Sequence, residues 1–262
     1  MDHQAVLAEY DRTVRRGARP DSPTARVESD GSVVRQAGAE HDWHAVLWSG
    51  LDEGSADAVI AEQVRYFGSL GREFEWKTYS HDRPADLGAR LLAAGFTAEP
   101  AETLLFAEVE GQSAEPVLPD GVRLLPVTDE VGVRLMVEAH ERAFGADQAA
   151  RGERIGRQVL AQLTEAPDDV VAVVAMAGDQ AVSSARMEVL PGTGFAGLWG
   201  GGTAPEWRGK GIYRALVAHR ASIAAERGIR YLQVDATEDS RPILQRLGFA
   251  ALSVTTPYVY TP

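Results

Sequence analysis

Apolar residues recur along the second half of the chain with two spacings, one typical of strands and one typical of helices. Two apolar runs on either side of Gly178 and Asp179 predict antiparallel strands joined by a two-residue turn. Apolar residues spaced three and four apart predict amphipathic helices, because such residues share one helical face. The predicted strands are residues 122–126, 170–176, 181–189 and 231–235, and the predicted helices are residues 129–144, 152–165 and 240–246.

The first half of the chain shows a similar succession of elements. Its pattern predicts a short N-terminal helix, a first strand and then a helix that begins at Ser55 with an acidic first turn and ends before two glycines. The predicted strands are residues 32–35, 45–48, 74–79 and 103–109, and the predicted longer helices are residues 55–67 and 85–94. Both halves therefore predict a mixed α/β fold.

The two halves contain a weak internal repeat. In each, a strand and a turn precede a short helix that ends at Gly-Phe, first at Gly95 and Phe96 and again at Gly248 and Phe249. The segment between the halves is rich in glycine, proline and acidic residues, which is typical of a linker. We therefore expect a first domain at residues 1–112, a linker at residues 113–121 and a second domain at residues 122–262.

Composition narrows the class of protein. The 262 residues include no cysteine, which excludes disulfides and a thiol nucleophile. The net charge of −12 argues against nucleic acid as a partner and favours a cationic one. No secretory signal and no apolar window of about 18 residues is present, so we expect a cytoplasmic protein with no membrane partner. His41 and His44 form a His-x-x-His pair, but no third ligand lies nearby in the sequence, so no metal site is predicted.

Candidate chemistry concentrates in one stretch that reads as a strand, a tight glycine loop and a helix. Gly209 and Gly211 have no side chains to shield their amides, and a helix N-terminus offers unpaired N–H donors and a partial positive charge. Each charge-assisted hydrogen bond from such a donor to a phosphate contributes about 1.5–3 kcal/mol. Arg208, Lys210 and Arg214 add full positive charges. The loop is therefore predicted to bind phosphate.

Other kinds of glycine loop fit this stretch less well. A Walker loop needs Ser or Thr after Gly-Lys to hold magnesium, and Gly211 stands there. A dinucleotide-binding fingerprint needs a third small residue where Arg214 stands. It also needs an acidic residue at the end of a second strand, which this sequence lacks. An ordinary turn before a helix also uses glycines, so the loop alone leaves a purely structural role open.

The residues around the loop resemble those of a known family. Residues 205–211 read Pro-Glu-Trp-Arg-Gly-Lys-Gly, and this run resembles the acyl-CoA pyrophosphate loop of the GNAT N-acetyltransferase superfamily. As in that family, a strand, a short helix and Leu-Gly-Phe at residues 247–249 follow. The resemblance covers residues 122–262. The first half resembles the degenerate first half of tandem GNAT proteins, which keeps the architecture without the cofactor loop.

The resemblance implies two GNAT-like domains, each with a mixed, mostly antiparallel sheet flanked by helices, and a splayed pair of strands in the second. It implies transfer of an acetyl group from acetyl-CoA to a primary amine of a small molecule or peptide, by direct attack in a ternary complex without a metal. Tyr213 replaces a small residue of the family. The implied cofactor-binding residues are Gly202, Thr203, Ala204, Arg208, Gly209, Lys210, Gly211, Ile212, Tyr213, Arg214 and Thr237.

The residues that transfer protons are less well defined. A carboxylate or a water chain has to take the proton of the substrate ammonium. Glu188 and Asp235 are the candidate carboxylates, although both also fit surface or salt-bridged roles. The family's Tyr that protonates the leaving thiolate is replaced by Leu244, and its pantetheine-binding Asn by Thr237. Ser240 is a candidate proton donor to the sulfur and equally a helix cap.

Two further expectations concern the strand before the loop and the activity itself. Three consecutive glycines at residues 200–202 are expected where the pantetheine arm approaches the backbone, with a bulge as the alternative. Because the family's acid is missing, the second hypothesis for the function is a CoA-binding or sensing module without turnover. The sequence contains no acceptor motif, which leaves the amine and the oligomeric state open.

Overall fold

The chain divides into two units, and the division does not follow a single cut along the sequence. The computed structural model describes residues 1–22, 24–40, 42–112 and 115–262. The first unit contains Met1–Leu105, Asp235–Pro242 and Ala251–Pro262, and the second contains Phe106–Val234 and Ile243–Ala250. This division differs from the expected boundary at residues 113–121, of which residues 113 and 114 lie outside the described part. The C-terminal strand groups with the N-terminal half because it pairs there.

The sheet of the first unit is built mainly from antiparallel pairs. Its strands are β1 (Arg26–Ser29), β2 (Val33–Ala37), β3 (Ala45–Ser49), β4 (Phe74–Tyr79), the two-residue β5 (Thr97–Ala98) and the C-terminal β12 (Ala250–Tyr260). They pair in the order β1, β2, β3, β4 and β12, with β5 also on β12, and only β3 and β4 run parallel. Its helices are α1 (His3–Tyr10), which continues into a π-helical turn at Asp11–Arg15, α2 (Ala56–Ser69) and α3 (Leu87–Ala93).

Aromatic side chains fill the core of the first unit. Phe67 of α2 stacks on Phe74 of β4 with the ring centroids 4.2 Å apart, and Phe96 meets Phe74 edge to face at 5.2 Å. Trp76, two residues further along β4, is also buried. The alternation of these rings with polar residues places them on one face of the strand, as the sequence pattern predicts.

The second unit contains a strictly consecutive antiparallel sheet that ends in one parallel pair. Its elements are β7 (Val122–Val127), α4 (Glu130–Phe144), α5 (Ala149–Glu165), β8 (Val170–Ala177), β9 (Gln180–Val189), β10 (Phe195–Thr203) and α6 (Ile212–Glu226). Strands β7 to β10 pair antiparallel with their neighbours, and β10 pairs parallel with β11 (Tyr231–Ala236). Some elements contain residues of both units, among them strand β6 (Glu102–Glu108), strand β11 and helix α7 (Arg241–Arg246).

Helices cover both faces of the second unit's sheet. Val174 and Met176 of β8 pack with α4 and α5, whereas Val173 and Ala175 pack with Ile212 at the start of α6. Successive strand residues point to opposite faces, and both faces are covered here. Strand β8 is therefore apolar along its whole length. None of the helices in the described part of the chain is long and apolar enough to cross a membrane.

The structure confirms the predicted fold class, a mixed α/β arrangement with a mostly antiparallel sheet flanked by helices. It also confirms the hairpin at Gly178, which joins β8 to β9. The pattern did not predict β1 or β12. Strand β12 is nevertheless rich in β-branched and aromatic residues, which is the composition typical of strands.

A buried ion pair lies in the first unit. Lys77 Nζ of β4 is 2.8 Å from Asp235 Oδ2, and the two side chains are 16% and 2% exposed. Thr255 Oγ1 of β12 donates to the other Asp235 oxygen at 3.2 Å. Burial alone would lower the pKa of Lys77, but the negative charge of Asp235 outweighs it and raises this pKa well above its usual value. The ammonium is therefore charged at any physiological pH.

Replacing Lys77 with Met should lower the free energy of unfolding by about 3–5 kcal/mol, because it leaves the Asp235 carboxylate buried without its counter-charge. Urea unfolding followed by Trp fluorescence measures the loss. The matched control is Arg134→Met, which breaks an exposed pair with Glu130 on α4 and should cost less than about 1 kcal/mol. Equal losses in the two variants would contradict a structural role for the buried pair.

Candidate functional site

The candidate site is the loop that joins β10 to α6. After β10 ends at Thr203, a 3-10 turn covers Pro205–Trp207 and α6 begins at Ile212. Gly209 and Gly211 have φ angles of +73° and +87°, in the left-handed region that side-chain-bearing residues rarely adopt. A Cβ added at either glycine would meet no protein atom within 4 Å. The loop therefore needs glycine for its backbone conformation, and it faces open space.

Six consecutive amides of this loop, those of residues 209–214, donate to no acceptor among the described residues. The amides just before them are used, since Trp207 N–H donates to the Ala204 carbonyl at 2.9 Å and Arg208 N–H donates to the Pro205 carbonyl at 3.2 Å. The first helical bond runs from Ala215 N–H to the Gly211 carbonyl. Unpaired N–H groups at a helix N-terminus carry about half a positive charge, so the loop offers what an anion binds.

Arg208 fastens the loop to the rest of the second unit. Its Nε donates to the Thr203 carbonyl at 3.1 Å, and its Nη2 donates to the Ala143 carbonyl near the end of α4 at 2.9 Å. Both bonds join the guanidinium to the protein backbone. The geometry therefore favours a positioning role for Arg208 over the direct phosphate contact that the sequence suggested.

Two other cations remain beside the amides. Lys210 Nζ lies 4.3 Å from the centroid of the Trp207 ring, and the Lys210 side chain is exposed. Arg214, in the first turn of α6, is exposed as well. Together they add two positive charges to a site whose backbone already favours anions.

The glycine run at residues 200–202 fits the bulge alternative. Gly200 has a φ of +61° and sits in a bulge of β10 against β9. A Cβ at Gly201 would lie 2.8 Å from the Tyr213 ring, and one at Gly202 would lie 2.5 Å from the Phe144 ring. The protein's own aromatic side chains occupy the space beside this strand, so the bulge alternative explains the glycines without a ligand.

Strands β10 and β11 separate ahead of the loop. Their parallel pairing ends at Gly197 and Gln233, although β10 continues to Thr203. This agrees with the expected splayed pair. Thr203 Oγ1 lies 2.9 Å from Ser183 Oγ, and the Ala204 amide donates to the Val182 carbonyl at 2.8 Å. The Ala204 amide is therefore already used within the protein.

The two candidate carboxylates lie in different environments. Glu188 of β9 is 21% exposed and accepts from Arg186 Nε at 2.8 Å, within the same unit as the loop. Asp235 groups with the first unit, where Lys77 and Thr255 occupy its oxygens. Both carboxylates are paired with a cation, but Asp235 is 2% exposed and has partners on both oxygens, which favours a structural role. Glu188 is more exposed and lies in the unit of the loop, so it is the carboxylate that we retain as a candidate base.

The remaining implied residues also group with the first unit. Thr237 and Ser240 form an exposed turn in which their hydroxyl oxygens are 3.3 Å apart, and Ser240 Oγ also donates weakly to the Thr237 carbonyl. The structure thus brings together residues 202–214, and it places Thr237 and Ser240 in the other unit. Leu244, at the position of the family's Tyr, is fully buried in α7.

The sequence patterns did not identify a small cavity in the second unit. It lies among α4, α5, β9 and β10, and its polar lining comes from His140, Ser184 and Arg186. Its signal in the sequence is a histidine at a position of α4 where helical spacing predicts an apolar residue, since Val133, Met136 and Ala143 share that buried face.

Comparisons with known proteins relate this part of the chain to one family. Residues 164–249, which include the loop, match the model of the Acetyltransferase (GNAT) family. No curated protein matches the chain at a significant level.

Solved structures with the same fold cover nearly the whole chain. A GCN5-related N-acetyltransferase from Kribbella flavida is similar over 99% of this chain and 94% of its own, with a TM-score of 0.70 and 18% identity. A tandem GNAT protein from the clavulanic acid biosynthesis pathway is similar over 99% and 95%, with a TM-score of 0.63 and 15% identity. Residues 164–249 thus match the acetyltransferase (GNAT) family, and the chain as a whole shares its fold with solved GNAT proteins.

Proposed function

We propose that this protein is an N-acetyltransferase that moves the acetyl group of acetyl-CoA to a primary amine of a small molecule or peptide. The amine attacks directly in a ternary complex, without a covalent enzyme intermediate. The observation that carries the proposal is the row of unpartnered amides at residues 209–214, at the N-terminus of α6. A diphosphate is the anion best matched to several adjacent N–H donors.

The residues of the loop divide the binding between them. The amides of residues 209–214 donate to the diphosphate, while Lys210 and Arg214 supply positive charge at its edge. Arg208 holds the loop against Thr203 and Ala143, so that the donors stay in place before the ligand arrives. Acetyl-CoA, when bound, supplies an activated acetyl group as a thioester.

Glu188 is the carboxylate we propose to support proton transfer. It lies on β9 in the same unit as the loop, and its ion pair with Arg186 keeps it oriented. An amine of pKa about 10 is protonated at neutral pH and must lose a proton before it attacks. The acidic protein as a whole favours approach of such cations.

A second candidate function is a CoA-binding module without turnover. The buried Leu244 favours it, because a leucine at this position offers no proton to a leaving thiolate. The loop geometry fits both functions equally, so binding alone does not separate them.

Replacing Gly211 with Asp should weaken acetyl-CoA binding at least about 100-fold, because the new carboxylate repels the diphosphate. The loss of two hydrogen bonds from loop amides to the diphosphate alone contributes about 3 kcal/mol. Isothermal titration calorimetry measures the affinity. The matched control is Gly178→Asp, since Gly178 also has a positive φ of +59° and open space around its Cβ position. That variant should bind acetyl-CoA like the wild type. Equal affinities for both variants would contradict the assignment of the site.

Arg208→Lys should lower acetyl-CoA affinity about tenfold although the charge is kept, because one ammonium cannot reproduce the two guanidinium bonds to separate carbonyls. The same replacement at Arg214, which is exposed, should change the affinity less than about threefold. Calorimetry again provides the measurement. If Arg214→Lys were the more damaging change, Arg208 would have no special role in positioning the loop.

Release of the free CoA thiol from acetyl-CoA distinguishes an acetyltransferase from a CoA-binding module without turnover. We expect release that depends on an added amine when tyramine, spermidine, glucosamine and a lysine-containing peptide are tested in turn. Thiol reagents follow the release, and mass spectrometry identifies the acetylated amine. A protein that binds acetyl-CoA tightly but acetylates none of these amines would support the binding module.

A further inference from the structure

The second unit contains a buried arginine without a counter-charge. Arg220, in the middle of α6, is 1% exposed. No carboxylate in the described part of the chain forms an ion pair with it, and burial lowers the pKa of its guanidinium to about 10. The group therefore stays charged at neutral pH. Arginines are almost never fully buried without a carboxylate, so the fold must use this charge in another way.

Main-chain carbonyls hold this guanidinium. Its Nε donates to the Leu216 carbonyl at 2.9 Å, one turn earlier in the same helix, and its Nη1 donates to the Arg186 carbonyl of β9 at 2.8 Å. The first bond orients the side chain, and the second joins α6 to the sheet. Hydrogen bonds from a charged donor are stronger than those between neutral groups. The buried charge thus fastens α6 to one point of β9.

That point lies at the edge of the bulge in β10. Strands β9 and β10 pair regularly as far as Arg186 and Trp199, and their register then shifts before Gly202. Gly200 and Gly201 of β10 therefore face a single residue of β9, which is the arrangement of a β-bulge. The bond from α6 reaches β9 at the last regular pair before this interruption.

Side chains pack on the bulge from both faces of the sheet. On the α6 face, a Cβ at Gly201 would lie 2.8 Å from the Tyr213 ring, and Tyr213 and Arg220 are seven residues apart, on the same side of α6. On the face of α4 and α5, a Cβ at Gly200 would lie 3.2 Å from Arg186 Nη1. Helix α6 therefore supports the bulge with a packed ring as well as with a buried charge.

The bulge lies where β10 separates from β11. Their parallel pairing ends at Gly197 and Gln233, and the bulge follows Trp199, two residues further along β10. Because a bulge bends its strand, we expect this one to direct β10 away from β11 and to keep a gap between them. Strand β10 then ends at Thr203, just before the loop with the unpaired amides.

We infer that Arg220 is a positioning residue that holds the β10 bulge, and with it the gap between β10 and β11 that receives the pantetheine arm of acetyl-CoA. The inference rests on the proposed acetyl transfer, and it adds a residue that no sequence motif identified. Arg220 acts through the backbone of β9 and needs no contact with the ligand. Binding then has two separable parts, because the loop amides bind the diphosphate and the gap receives the arm.

The test compares acetyl-CoA with ADP, which carries a diphosphate without the arm. Arg220→Met removes both carbonyl bonds, so acetyl-CoA affinity should fall at least about tenfold while ADP affinity changes less than about twofold. Isothermal titration calorimetry measures both affinities. The matched control is Arg227→Met, because Arg227 at the end of α6 also donates to a main-chain carbonyl, that of Asp168, but lies away from the bulge. This control should bind both ligands like the wild type.

A second variant alters the bulge from the strand itself. Gly200 has a φ of +61°, so Gly200→Ala strains the bulge and should also lower the affinity for acetyl-CoA without lowering that for ADP. Because both changes act on one bulge, the double variant should lose less affinity than two independent losses would give. Arg220→Lys, which keeps the charge and one of the two bonds, should lose less than Arg220→Met and replaces it if the Met variant does not fold.

The two ligands distinguish positioning of the arm from a general structural role. Equal losses for acetyl-CoA and ADP in the Arg220 variants would show that the arginine only stabilises the unit, and unchanged acetyl-CoA affinity would show that the bulge does not shape the arm's site. Either result would overturn the inference alone. A wild type that does not bind acetyl-CoA would overturn the proposed function, and the inference with it.

Discussion

The constraint on which the site depends is that a helix cannot satisfy its own first amides. The unpaired amides continue from the first turn of α6 back into the loop. Two glycines with left-handed φ angles turn the chain there, and the amides of residues 209–214 find no acceptor in the described part of the protein. Arg208 stabilises this loop by donating to the carbonyls of Thr203 and Ala143. The donors are therefore arranged for an anion before any ligand binds, which reduces the ordering that binding requires.

Packing within the protein shapes the strand before the loop. Tyr213 fits over Gly201 and Phe144 over Gly202, so any side chain at either glycine would displace a ring of α6 or α4. The same Phe144 contacts His140, which connects the bulged strand to the cavity. Glycines in this strand thus permit close packing of β10 against residues of α6 and α4.

The sequence predicted much of this arrangement, because its signals were local. Apolar runs on either side of Gly178 and Asp179 predicted the hairpin, and the run from Pro205 to Gly211 predicted a glycine loop before a helix. The roles of Arg208, Ala204 and Asp235 depend on partners distant in sequence, such as Lys77 for Asp235, and no local pattern contains them. The grouping of β12 with the first half is likewise a matter of tertiary pairing.

The central claim is that main-chain amides at the start of α6 bind a diphosphate. The most direct measurement is amide NMR of the ¹⁵N-labelled protein during titration with CoA and, separately, with pantetheine, which lacks the diphosphate. CoA should shift the amide resonances of residues 209–214, and pantetheine should leave them in place. Equal shifts with both compounds, or shifts confined to other parts of the second unit, would contradict it.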